Sequence, residues 1–263
     1  MRVKAVLFDL DDTLLWDERS VKEAFEMTCQ EAAAENSNIV PIELERAVRA
    51  EARKLYESYE TFPFTQMIGI NPFEALWGQF REGEDPAFRK LEQLAPQYRK
   101  NAWTNGLKAV GIDDPELGER LGERFPVIRR QLAYVYEETF EVLDALKGKV
   151  KLLLLTNGSP DLQKEKLAGV PMLAPYFDHI VISGNFGRGK PDPSIFEHAL
   201  HLLGVRPEDS LMIGDKLTTD ILGSSRIGMV NIWINHHGLE VGKHVPPTYS
   251  VTRLRDIMKY IEG

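Results

Sequence analysis

Cysteine is nearly absent: the 263 residues contain one, Cys29. A single thiol excludes an intramolecular disulfide and a cysteine zinc site. It suits a reducing compartment, so a cytoplasmic location is expected. Basic charge is also scarce, with 32 Lys and Arg against 40 Asp and Glu and a formal net charge of −8. Nucleic-acid polymers and anionic membranes attract basic surfaces, so neither is an expected partner. A small phosphorylated metabolite stays compatible, because a local cationic pocket can sit on an acidic protein. Long apolar runs are missing; none approaches the ~18 residues of a membrane span. The N-terminus reaches Asp9 before an apolar signal core could form, so no export signal is expected there. Internal repeats and low-complexity tracts are absent too.

What is present is a core-forming chain, 43% hydrophobic, whose pattern changes character twice. Residues 3–10 read as a buried strand. Residues 17–140 are mostly helical, rich in Ala, Glu, Arg and Leu. Ser20 is the expected cap of a helix reaching Glu35, residues 42–59 form a longer one, and Asp114-Pro115 opens another. After residue 147 the pattern becomes βαβ. Strands are expected at 151–155, 179–183, 211–214 and 229–235. Ser159-Pro160 and Asp192-Pro193 open two of the intervening helices, and Thr218 or Thr219 a third. Short apolar strands alternating with amphipathic helices specify an α/β fold, a Rossmann-like doubly wound parallel sheet. The long helical stretch is then an insertion after the first strand. The expected catalytic core is 1–16 plus 141–263, and the expected helical cap is 17–140.

In such a sheet, ligands gather beyond the carboxyl ends of the strands. The chemistry-bearing residues sit at those ends. FDLDDTLL, at 8–15, crowds Asp9, Asp11 and Asp12 behind the first strand. Two carboxylates ~4 Å apart at an effective dielectric of ~20 oppose each other by roughly 4 kcal/mol, so something must offset them. Thr156-Asn157-Gly158 closes the second strand, Gly189-Lys190-Pro191 follows the third, and Gly214-Asp215 ends the next, with Asp220 beyond. Asp9, Asp11 and Asp215 are hard oxygen donors suited to Mg²⁺. Thr156 offers a hydroxyl, and the backbone N–H groups near Asn157 an anion site at a helix start. Lys190 is a cation for a phosphate oxygen. A carboxylate nucleophile, a metal and a lysine are the parts of phosphoryl transfer.

DLDDT, TNG, GKP and GDKLTTD, in this order, resemble the four motifs of the haloacid dehalogenase superfamily. The insertion resembles its C1-type helical cap. TNGSPDLQKEKL and WINHHG resemble the branch of acylneuraminate 9-phosphate and nucleotide phosphatases; phosphoserine phosphatases are further relatives. The resemblance implies Asp9 as nucleophile, forming an aspartyl-phosphate, and Asp11 as general acid and then base. Asp11 would also give a backbone carbonyl to Mg²⁺, with Asp215 as a further ligand and Asp220 binding directly or through water. Thr156, Asn157 and Lys190 would hold the phosphoryl group. The implied enzyme is a Mg²⁺-dependent phosphatase acting on a small phosphorylated metabolite such as a sugar phosphate, nucleoside monophosphate or phosphoserine, as a monomer or homodimer. A phosphomutase would use the same chemistry and stays open. A dehalogenase is disfavoured, because it has no leaving oxygen for Asp11 to protonate.

Other groups read more simply. His198 and His201 share a helix face with Ser194 and Glu197, which is the pattern of a solvated face. His236-His237 reads as a loop bordering the site at best. The apolar segment TFPFTQMIGINPFEALW, 61–77, reads as packing within the insertion before it reads as a substrate loop or dimer patch. Arg99, Lys100, Asn101 and Trp103 form a polar–aromatic group, and Arg129 with Arg130 offers another anion contact.

Overall fold

The computed structural model describes residues 3–243 and 245–261. The chain divides into two compact units. The first takes the residues up to Trp16, Tyr134–Gly158, and those from Val170 on; the second is Asp17–Ala133 with Ser159–Gly169.

The first unit is built on six parallel strands. They are β1 Ala5–Phe8, β2 Lys151–Thr156, β3 His179–Ile182, β4 Ser210–Gly214, β5 Val230–Ile234 and β6 Tyr249–Val251. Their order is β3-β2-β1-β4-β5-β6, a Rossmann-like doubly wound sheet. Connections run one way from β1 through β2 to β3 and the other way from β4 to β6. The switch in direction lies between β1 and β4, where a crevice opens at the carboxyl ends. Both faces of the central strands are covered, so β1 and β4 are buried along their whole length. One layer packs Leu7, Leu153, Leu155 and Met212 against Ile195, Phe196 and Leu200 of the helix Pro193–Leu203.

The second unit is all helical. Its long helices are Asp17–Glu35, Pro41–Ser58, Pro86–Ala109 and Pro115–Gln131. They enclose an aromatic core in which Phe25 meets Phe125 at 4.6 Å and Trp103 meets Phe125 at 5.9 Å between ring centroids. Segment 61–77 forms the short helices Phe62–Ile68 and Pro72–Ala75, with Ile68 and Leu76 fully buried in that core. Part of the segment therefore packs inside the unit, while Met67 stays exposed. The helix Pro160–Ala168 also belongs to this unit, with Leu162 in the same core.

The proline-led caps fall where the residue pattern places them. Asp114, Ser159 and Asp192 each accept a backbone N–H of the first turn of the helix that they open. Two starts differ from expectation. The first helix begins at Asp17, and Ser20 is buried inside it rather than capping it. No helix opens at Thr218 or Thr219; a wide π-type turn, Leu217–Ile221, precedes the helix Leu222–Arg226. The reason lies in Asp220, whose carboxylate folds back to accept Lys216 N–H at 3.1 Å. β6 was not expected from its composition, and it is short and half exposed.

Candidate active site

The register of the sheet places the polar residues. Phe8 pairs with Leu154 on one side and Ile213 on the other. The next residue, Asp9, donates its N–H to Ile213 carbonyl at 2.9 Å. Asp9 therefore emerges beside Gly214, at the switch point between β1 and β4. Thr156 ends β2, and Asp215 follows β4 directly.

Lys190 is the centre of the cluster. Its ammonium donates to Asp9 Oδ1 at 2.5 Å and to Leu155 carbonyl at 2.7 Å, and pairs with Asp220 Oδ1 at 2.7 Å. The lysine is only 4% exposed. Burial opposes its charge, but the charges of Asp220 and Asp9 outweigh it and hold the ammonium above the ordinary lysine range. Burial likewise pushes the Asp9 carboxyl up to about 6, with Lys190 pulling it down and Asp220 pushing it up. Asp215 is raised well above the ordinary aspartate value by burial and then by the charges of Asp9, Asp220 and Asp12. The repulsion foreseen among clustered carboxylates is thus offset in part by one buried cation.

Asp9, Asp215 and Asp220 each offer a carboxylate oxygen, all within 4.8 Å of one another. Three hard oxygen donors whose mutual charge lifts Asp215 form a site that fits a divalent cation such as Mg²⁺. Both Asp220 oxygens already have partners, Lys190 and the Lys216 N–H.

Asn157 is spent differently from expectation. Its side-chain amide donates to Lys190 carbonyl at 2.9 Å and accepts Lys190 N–H at 2.8 Å. The amide therefore grips the lysine's backbone. Gly158 follows with φ 145°, a region open to glycine alone without strain, and its N–H reaches Ser183 Oγ at 2.9 Å. Gly214 has a steric role: a Cβ there would lie 2.3 Å from the Asp220 carboxylate.

Several contributors escape a reading of motifs. Trp233, paired with Gly214 across β4 and β5, donates its indole N–H to Asp215 carbonyl at 2.7 Å. His236 reaches Asp12 carbonyl at 3.1 Å, so the loop after β5 does border the cluster. Asp12 has φ 57°, the turn geometry that Asp tolerates better than most residues. The signal for His236 was only its place after a strand end. The histidine pair on the helix Pro193–Leu203 stays apart from this site, with His201 exposed and His198 stacked on Phe186 at 4.9 Å. Arg129 and Arg130 are held inside the helical unit. Arg129 pairs with Asp17, and Arg130 with Glu165 at 2.5 Å and with Trp77 carbonyl at 2.8 Å.

The chain is similar to known proteins along most of its length. The family model of haloacid dehalogenase-like hydrolases matches residues 3–228. The phosphoserine phosphatase of Thermus thermophilus is 32% identical over 255 residues, covering 97% of this chain and 98% of that one. The N-acylneuraminate-9-phosphatase of Rattus norvegicus is 38% identical over 180 residues, 67% of this chain and 72% of the relative. Among solved structures, YfnB of Bacillus subtilis, bound to magnesium, aligns over 100% of both chains with a TM-score of 0.66 at 22% identity.

Proposed function

The chain belongs to the haloacid dehalogenase-like hydrolase family, and we propose that within it this protein is a Mg²⁺-dependent phosphatase of small phosphorylated metabolites. Asp9 is the nucleophile. Its carboxylate forms a bond to phosphorus as the ester P–O bond breaks, leaving an aspartyl-phosphate. Asp11 gives a proton to the departing alkoxide oxygen. It then takes one from the water that opens the aspartyl-phosphate and frees inorganic phosphate. Thr156, the Asn157 N–H and Lys190 hold the phosphoryl oxygens, and the Asn157 side chain keeps Lys190 in place. Asp9, Asp215 and the Asp11 carbonyl would hold Mg²⁺, with Asp220 supporting directly, through water or through Lys190. The metal supplies charge neutralisation at the phosphoryl group. The reading includes a cytoplasmic monomer or homodimer. Its lone thiol, Cys29, is buried, and burial pushes it up to about 12, away from redox use.

The observation that carries this reading is the buried Lys190 bridging Asp9 and Asp220, with Asp215 inside the same 4.8 Å cluster. A buried charge cluster of this kind at a sheet switch point suits transition-state neutralisation better than fold stability. The relatives' names support phosphoserine and acylneuraminate 9-phosphate as the first substrates to try.

The test is phosphate release from these two, sugar phosphates and nucleoside monophosphates, with Mg²⁺ and with chelator. Turnover of at least one is expected. It should be lost with chelator and fall by about 10³-fold or more in Asp9→Asn. Release indifferent to both changes refutes the mechanism, and no turnover on any phosphoester refutes the activity.

A further inference from the structure

The loop that carries Asp9 and Asp11 turns at Asp12. Asp12 lies at φ 57°, left-handed backbone that Asp adopts more readily than most residues with a Cβ, though at some cost. The turn is closed by Leu14 and Leu15 N–H on Leu10 carbonyl at 3.0 and 2.9 Å, and hydrogen bonds to the Asp12 peptides support it from both sides. Asp12 N–H donates to Leu15 carbonyl at 2.7 Å. Asp12 carbonyl accepts from His236 Nε2 at 3.1 Å; because a carbonyl has no proton, Nε2 carries it.

His236 is itself fixed by stacking. Its ring lies on Tyr136 with centroids 4.1 Å apart and planes 15° from parallel. Tyr136 lies on Trp16 at 5.3 Å and 16°. The main chain ties the same segments, Tyr136 N–H to Leu14 carbonyl at 3.2 Å and Trp16 N–H to Tyr134 carbonyl at 2.9 Å. A three-ring stack from residues 16, 136 and 236 thus carries a hydrogen bond to the residue after Asp11, and the Thr252 backbone also meets the imidazole.

We infer that His236 is a positioning residue for Asp11, clamping the Asp12 peptide through its Nε2–H while Tyr136 and Trp16 hold the imidazole. The inference rests on Asp11 as the proton donor of the proposed reaction. Asp12 carbonyl fixes the plane of the Asp12–Thr13 peptide. Asp12 follows Asp11 directly, so a shift of the Asp12 backbone is passed to the Asp11–Asp12 peptide and to the position of Asp11. Without the clamp, Asp12 relaxes towards ordinary φ and Asp11 moves with it. Proton transfer tolerates little displacement of the donor.

The consequence is specific to leaving groups. An alkyl phosphate needs its oxygen protonated; p-nitrophenyl phosphate does not. His236→Phe keeps a ring for stacking and removes the donor. On an alkyl phosphate we expect kcat/KM, which ends at formation of the aspartyl-phosphate, to fall by about 10- to 100-fold. On p-nitrophenyl phosphate kcat/KM should change by less than about threefold, because the later hydrolysis, where Asp11 acts as base, does not enter it. His236→Gln, whose amide nitrogen reaches the place of Nε2, should recover most of the loss. Thermal unfolding of each variant reports its folding separately. Asp11→Asn is the control. If it lowers alkyl-phosphate turnover selectively and His236→Phe does not, the inference falls alone. If Asp11→Asn shows no leaving-group dependence, the role of Asp11 falls and the inference with it. An equal loss of kcat/KM on both substrates in His236→Phe, or no rescue by Gln, also overturns the clamp.

Discussion

At the scale of single residues, the cluster trades stability for charge density. Asp9 and Asp215 have folded-state values raised above those of the unfolded chain. A raised acid favours the fold while protonated. Its contribution is full below the unfolded value and is lost as pH rises through the folded one, about 6 for Asp9. Asp215→Asn removes one of the repelling charges. The metal-free variant should melt a few degrees higher than wild type at pH 7.5, while Mg²⁺ no longer raises its Tm. Calorimetry with and without Mg²⁺ checks both halves. Protons also compete with the metal, so Mg²⁺ affinity of the wild type should weaken steadily below about pH 6, as titration calorimetry would record. Gly214→Ala sets a Cβ against the Asp220 carboxylate; a loss of roughly 1–3 kcal/mol with impaired turnover is expected from denaturant titration and kinetics. The gathering of Asp9, Lys190, Asp215 and Asp220 was legible because few chemistries crowd carboxylates at strand ends. The grip of Asn157 on Lys190, the indole of Trp233 under Asp215 and His236 on Asp12 were not, since each joins residues remote in sequence.

At the scale of elements, helix starts were more legible than helix ends. Asp114-Pro115, Ser159-Pro160 and Asp192-Pro193 combine a side-chain acceptor with a residue lacking an N–H, a local signal that needs no tertiary partner. The π-type turn at Leu217–Ile221 was not legible, because its shape answers to Asp220 reaching Lys216 and Lys190. A second tertiary fastening lies before the helix Thr139–Leu146. Glu138 accepts Arg255 N–H at 2.9 Å, Arg255 Nε at 2.6 Å and Arg253 Nε at 2.7 Å. Burial alone would raise its carboxyl, but these donors outweigh burial and hold it below the usual range. A depressed acid stabilises the fold above its unfolded value of about 4.3. That stability is lost as pH falls through the folded value. Glu138→Gln should therefore cost about 1–2 kcal/mol at neutral pH. The gap from wild type should narrow below about pH 4 in melting curves recorded across pH.

At the scale of the molecule, the hydrophobic clusters of the two units answer to two patterns, period-two strands and apolar runs in one unit and helical periodicity in the other. The helical unit contains a buried ionic set drawn from distant segments. Lys166 meets Glu74 at 2.7 Å and Asp17 at 3.8 Å, and Asp17 meets Arg129. Removing one charge from such a set strands the others, so Lys166→Met should destabilise by about 3–5 kcal/mol. Replacing Lys166 and Glu74 together with Met and Leu should recover much of that loss, which urea unfolding of the single and double variants would measure.

Taken alone, the amino-acid order determined the alternation of strand and helix, the helical stretch after the first strand and the residues at each strand end. These follow from periodicity, caps and side-chain chemistry, all local properties of the chain. Only the tertiary structure decided which groups share a charge and which merely lie near it. It spent the Asn157 amide on a backbone, gave Lys190 two carboxylates, placed the helix Pro160–Ala168 in the helical unit and set His236 on the turn beside Asp11. Burial and pairing depend on contacts between residues up to 224 positions apart. No local pattern encodes them, because the energy of each contact exists only once the chain has closed around it.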